Sequence, residues 1–165
     1  MKLIKLSTVS VALLASTAGI ARAQEHPSCS LSTLHGDYAF QITGQILAPQ
    51  PIAGLVAGVA LTHFDGGGNM TQVDHVVHAG KPPVEDWRPG SGPYFVNSDC
   101  TGYMILAPNP TDPADASPPL RVEFVIGDNG NVIHDVVTSS TTSPAFAAAI
   151  AATGTKVYQR DDRRW

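Results

Sequence analysis

The sequence predicts an all-β domain, an antiparallel barrel or sandwich of eight strands, and three observations lead there. Runs rich in Val, Ile, Thr and aromatic residues are interrupted at short intervals by Gly, Pro, Asn and Asp. Eight such runs fall within one domain's length of chain: 38–47, 55–64, 70–79, 93–97, 103–107, 120–127, 132–139 and 155–159. Two of the interruptions, DGGGN at 65–69 and DNGN at 128–131, are hairpin turns whose Gly and Asn residues accept positive φ.

Strand periodicity assigns faces. With Phe64 paired to Met70 across the glycine turn, Leu55, Ala57, Val59, Leu61 and His63 share a face with Thr71, Val73, His75 and Val77. The opposite face collects Val56, Gly58, Ala60, Thr62, Gln72, Asp74 and His78. The first set is the more apolar and is expected to point inward. In the next hairpin, a two- or four-residue loop puts Leu120, Val122, Phe124 and Ile126 on one face with Ile133, Asp135 and Val137. A three-residue loop with a bulge exchanges Asp135 for His134.

One stretch departs from the pattern. PAFAAAIAA at 144–152 opens with Pro, is rich in Ala and is followed by Thr-Gly, which predicts a short C-terminal helix, with a strand of small residues as the alternative. Two long loops are expected, one at 81–92 holding Trp87 and one at 108–119 rich in Pro and Asp.

Residues 1–23 have the three parts of a cleavable signal peptide. Lys2 and Lys5 make a positive start, 6–20 is uncharged and rich in Val, Leu and Ala, and Ala21-Arg22-Ala23 supplies the small-x-small cleavage site. The apolar stretch is short for a membrane span. Three segments follow: signal peptide 1–23, domain 24–159 and polar tail 160–165, in a protein exported to the periplasm or the medium. Cleavage of 23 of the 165 residues leaves 142 and removes three basic residues and no acid, so 7 basic and 14 acidic residues remain, a net charge of −7 with histidines neutral. That charge repels phosphate backbones and anionic headgroups, which argues against nucleic acid and, after cleavage, membrane surfaces as partners. Cys29 and Cys100 are the only cysteines. In an exported chain they are expected to form one disulfide, whose closed loop of about 70 residues is worth roughly 4 kcal/mol in the chain-entropy model.

Catalytic signatures of high specificity are missing: no His-Glu-x-x-His, no Gly-x-Ser-x-Gly and no phosphate-cradling glycine loop. His75 and His78 are three apart, so on a strand they point to opposite faces and do not grip one metal; no metal site and no cofactor is expected. His75, placed among Val59, Val73 and Val77, is the first candidate proton-transfer group. Asp135, opposite Phe124, is the second, because a carboxylate among Ile and Val is costly unless paired or protonated. Arg121 and Glu123 are expected to face solvent. Asn69-Met70-Thr71 matches the N-glycosylation pattern, which makes Asn69 a candidate glycan site in a eukaryotic host.

CSLSTLHGDY at 29–38, THFDGGGN at 62–69 and GPYFVNSDCTG at 92–102 resemble small exported proteins of bacteria and fungi, whose strand pattern is similar to the eight-stranded barrel of allene oxide cyclases and related calycin-like proteins. The resemblance implies a barrel that takes a hydrophobic small molecule inside. It extends to cofactor-free cyclisation or isomerisation of a natural-product intermediate, terpenoid or polyketide, with His75 and Asp135 moving the proton. It carries over no active-site motif. The alternative is a non-enzymatic secreted binding or effector protein whose core is filled by Tyr38, Phe40, Phe95 and Phe124. A homo-oligomer is compatible with either.

N-terminal sequencing of exported protein should begin at Gln24 or its pyroglutamate; a membrane-held chain beginning at Met1 would contradict the signal-peptide reading.

Overall fold

A computed structural model describes residues 28–158. The signal-peptide segment 1–23 and the tail 160–165 lie outside the described residues. Eight antiparallel strands close into a barrel in chain order: β1 (His35–Ala48), β2 (Gly54–Asp65), β3 (Asn69–His78), β4 (Arg88–Val96), β5 (Thr101–Pro108), β6 (Leu120–Gly127), β7 (Val132–Ser140) and β8 (Ala147–Lys156), with β8 pairing back onto β1. Helical structure among the described residues is limited to single 3-10 turns at Leu31–Thr33, Pro113–Asp115 and Asp128–Gly130.

The stretch expected as a C-terminal helix is strand β8 instead. Its residues pair with β1 from Ala48↔Ala147 to Tyr38↔Lys156, so the barrel's closing seam overrides the helix preference of the alanines. Glycine is needed at one of its positions. The ring of Phe40 lies directly over Gly154, where a Cβ would sit 2.4 Å from it, and Phe124 covers Gly102 in the same way at 2.5 Å.

The two ends of the barrel are built differently. At one end the connections are short: 66–68, 97–100 and 128–131. The turn Leu31–Thr33 plugs this end, and beneath it Tyr38, Phe64 and Tyr94 stack edge to face, with ring centroids 5.3 and 5.0 Å apart. The Tyr94 hydroxyl donates to the carbonyls of Leu31 and Leu34, both at 3.0 Å, and that of Tyr38 to the carbonyl of Gly130. Burial raises the pKa of both phenols, which keeps them neutral donors. Leu34, Met70, Met104, Phe124, Ile126 and Ile133 complete this filled half. Phe95, expected to help fill the core, lies half-exposed outside the barrel, stacked on Tyr103 with centroids 4.7 Å apart.

The other end carries the long connections: 49–53, 79–87, 109–119 and 141–146. Two of these dock on each other. The Asp115 carboxylate accepts hydrogen bonds from the backbone of Glu85 (2.7 Å) and Val84 (3.1 Å), and the Glu85 carboxylate accepts one from Thr111 (2.9 Å). Those backbone donors, Glu85 first, with Arg88 nearby, hold the Asp115 pKa below the ordinary carboxylate value.

Cys29 and Cys100 are joined, with Cα atoms 5.0 Å apart, so the bridge straps the N-terminal plug to the β4–β5 turn. Replacing both by serine should leave the barrel folded but less stable by about 2–5 kcal/mol, the usual cost in small disulfide-bonded domains. Urea unfolding measures this, and an unchanged midpoint would show that the plug is held without the bridge.

Candidate functional site

Alternation along β2 and β3 decides which side chains enter the barrel. The pairing Phe64↔Met70 is as expected, and Val59↔His75 follows from it. The inward face, however, is the one collecting Val56, Ala60, Thr62, Gln72, Asp74 and His78, together with Phe64 and Met70, which are 1% and 2% exposed. His75 therefore points away from the interior. Its Nδ1 lies 2.6 Å from the carbonyl of Asp86, and its ring packs on Trp87, which belongs to the 79–87 loop outside β3. The interior position on which its proton-transfer role depended belongs to its neighbour Asp74.

The inward polar residues form a ladder across three strands. Thr62 Oγ1 donates to Gln72 Oε1 at 2.9 Å, and Gln72 Nε2 donates to Asp74 Oδ2 at 3.2 Å. Arg88 donates through Nε and a terminal nitrogen to Asp74 Oδ1, both at 2.8 Å. Asp74 and Arg88 are direct cross-strand partners, as are Thr62 and Gln72, so strand register alone brings them together. A buried carboxylate with a guanidinium and an amide on its two oxygens is satisfied. His78, further along the same face, has a buried Nε2 with no hydrogen-bond partner among the described residues.

On the opposite wall Asp135 is buried and inward. The β6–β7 loop has four residues, giving Gly127↔Val132 and Phe124↔Asp135, which places Asp135 rather than His134 inside. Burial pushes its pKa up to about 6, opposed by a hydrogen bond from the backbone of Ala152. Asp135 thus lies inside and His75 outside; the fold does not bring the two together.

Inward positions lose cover along the barrel axis. Tyr38 and Phe40 are buried but Ile42, Gly44 and Ile46 are partly exposed; Met104 is buried but Leu106 is not; Val122 is buried but Leu120 is not. Inward side chains of β1, β5 and β6 thus meet solvent at the end with the long loops, while Val56 and Ser140 stay buried there. The barrel's floor is aromatic, its upper wall is aliphatic, and its polar groups are Thr62, Gln72, Asp74, Arg88 and Asp135, with His78 beyond.

A depression of about 560 Å³ crosses β5–β8; its lining includes the outward Val125, Val136 and Ala151, with Glu123 and His134, and also the positions of Asp135 and Ala152. Arg121 pairs with Glu123 at 2.7 Å and lies over the Tyr103 ring, both partly exposed. Asn69 is exposed in the β2–β3 turn, where its amide donates to Asp65 at 2.9 Å. No group of three His, Cys, Asp or Glu side chains able to hold a metal occurs among the described residues. Sequence reasoning missed the ladder because it placed Thr62, Gln72, Asp74 and His78 on the outer face and Arg88 in a loop. Their tendency to pair was visible only once strand partners were known.

No protein-family model, curated protein or solved structure matches the chain.

A raised folded-state pKa means the native protein favours neutral Asp135. That stability is complete below the unfolded value near 3.8 and lost as pH rises through about 6. The difference between the folded and unfolded values corresponds to roughly 3 kcal/mol. Asp135→Asn should flatten the stability profile between these pH values and exceed wild type by roughly 1–3 kcal/mol at neutral pH in urea titrations. Parallel wild-type and variant profiles would show that the carboxylate is solvated.

Proposed function

We propose that the open half of the barrel is a binding cup for a small, mainly apolar molecule bearing one polar group, in a protein exported from the cell. One observation carries this: inward-facing aliphatic side chains are sealed at the plugged end and solvent-accessible at the end with the long loops. Such a graded interior offers apolar wall to a ligand, while few polar groups at fixed positions orient it. Arg88, whose guanidinium sits beside Asp74 on the inner wall and keeps some exposure, is suited to a carbonyl, hydroxyl or carboxylate near the mouth. Loops on a rigid closed barrel are the usual place for recognition. Export is supported by the N-terminal pattern and by the single disulfide.

A catalytic reading rests on Asp135. A carboxyl with a pKa of about 6 beside apolar walls exchanges a proton near neutrality. The chemistry that suits it, and that the resemblance to allene oxide cyclase-like barrels implies, is cofactor-free isomerisation or cyclisation of a natural-product intermediate. The cup would hold the reactive conformer, and Asp135 alone would take the role first assigned to it jointly with His75. The filled lower half supports the non-enzymatic alternative to the extent that it restricts any ligand to the upper half.

The neutral fluorophore N-phenyl-1-naphthylamine tests the cup. Ala152 is inward and partly exposed on β8, and Ala152→Phe fills the space beside Asp135. Wild type should bind the probe, Ala152→Phe should weaken binding by about tenfold or more, and Val136→Asp, in the outer depression, should leave it unchanged. Binding lost with Val136→Asp but kept in Ala152→Phe would move the site to the outside.

A further inference from the structure

We propose that the outer face of β6 and β7 seats a sugar ring of a neutral glycan between Glu123 and His134. These are the middle strands of the depression of about 560 Å³ that crosses β5–β8, a volume within the roughly 300–1,000 Å³ usual for ligand sites. Register sets four outward side chains in a square, with Glu123 across from Val136 and Val125 across from His134. Val125 and Val136, on one diagonal, are 48% and 47% exposed and form an apolar floor. Glu123 and His134, on the other, stand about 7 Å apart, a gap matched to one pyranose ring. Phe124 and Asp135, between them along each strand, point inward, so this site is separate from the cup.

Each polar side chain around the floor is fixed through one atom and offers another to a ligand. Glu123 Oε1 accepts from Arg121 Nε at 2.7 Å. That guanidinium is held 3.8 Å over the Tyr103 ring, which Phe95 backs from the other strand. His134 Nδ1 lies 3.2 Å from the Thr153 hydroxyl, and Asn97 Nδ2 donates to Thr101 Oγ1 at 3.0 Å. Glu123 Oε2, His134 Nε2 and Asn97 Oδ1 remain for a ligand, on side chains that all reach solvent. Groups held in place beforehand lose little freedom on binding.

The mixture of donors and acceptors selects the class of ligand. A hydroxyl both donates and accepts, so adjacent hydroxyls of one sugar pair with the Glu123 carboxylate and the Arg121 guanidinium together. An anion is opposed by Glu123 and a cation by Arg121, so neither matches the pair. A wholly apolar molecule would cover Glu123 and His134 without giving them partners. A sugar ring sets its C–H groups on Val125 and Val136 and its hydroxyls at the polar walls. The acidic chain also disfavours phosphate-bearing polymers.

Nuclear magnetic resonance titration of the isotopically labelled protein with cellohexaose, maltohexaose and mannohexaose tests the site. At least one of these should shift the backbone amides of 123–125 and 134–136, with a dissociation constant of about 1 mM or below. Val136→Asp puts a charge in the floor and His134→Ala removes one wall; each should weaken that binding by about fivefold or more. Hexagalacturonate and spermine should leave those amides unmoved. His134→Ala truncates an exposed side chain, so it reads the site even if Val136→Asp fails to fold. Silence from all the neutral oligosaccharides at about 10 mM would overturn the proposal. Binding that survives both substitutions, shifts confined to other residues, or equal shifts from hexagalacturonate or spermine would overturn it as well.

Discussion

The edge-to-face stack of Tyr38, Phe64 and Tyr94 is the constraint on which most of this barrel depends. Three rings contributed by β1, β2 and β4 occupy the cross-section at one end, and their contacts are the kind worth about 0.5–1.5 kcal/mol each beyond burial. Their hydroxyls reach further than their rings. Tyr94 holds the carbonyls of the N-terminal plug, and Tyr38 holds that of Gly130 in the β6–β7 turn. The disulfide ties the same plug to the β4–β5 turn, so every connection at this end is anchored to the stack or its cover. Phe40 and Phe124 form the next layer, and each needs a glycine beneath its ring. An eight-stranded barrel has little interior volume, and once this end is solid, any ligand chemistry is confined to the other.

The upper half solves a different problem. Asp74 would be prohibitively costly inside a barrel without partners, and it has Arg88 on one oxygen and Gln72 on the other. Because partners sit directly across the sheet, the ladder is rigid and needs no loop to complete it. Asp135, on the far wall, lacks a cation and takes up a proton more readily instead. The two buried carboxylates thus differ in their surroundings: Asp74 is tied to Arg88 and Gln72, and Asp135 lies among apolar side chains.

Polar groups inside and apolar groups outside are two sides of the same strands. Thr62, Gln72 and Asp74 point in, so Leu61, Val73 and His75 must point out. Val59 and Leu61 exposed to water are therefore the counterpart of the interior ladder.

How much of this was legible in the sequence follows from the range over which each signal acts. The strands, both hairpin turns, the Phe64↔Met70 register and the cysteine pair rest on local rules: positive-φ turn residues, period-two alternation and the pairing of two lone cysteines. These were readable, while Asp135 and His134 stayed alternatives until the four-residue loop decided for Asp135. The choice of inner face on β2 and β3 was not, because counting apolar residues assumes a dry interior and a wet exterior. Phe64 and Met70, at the turn itself, were the cue, since residues of that size at the foot of a barrel must pack. The strand at 147–156 was also beyond local rules: its alanines prefer a helix, and only the unpaired edge of β1, brought round by seven earlier strands, makes them a strand. The site was decided the same way, as Arg88 becomes a partner of Asp74 only when β4 is laid against β3.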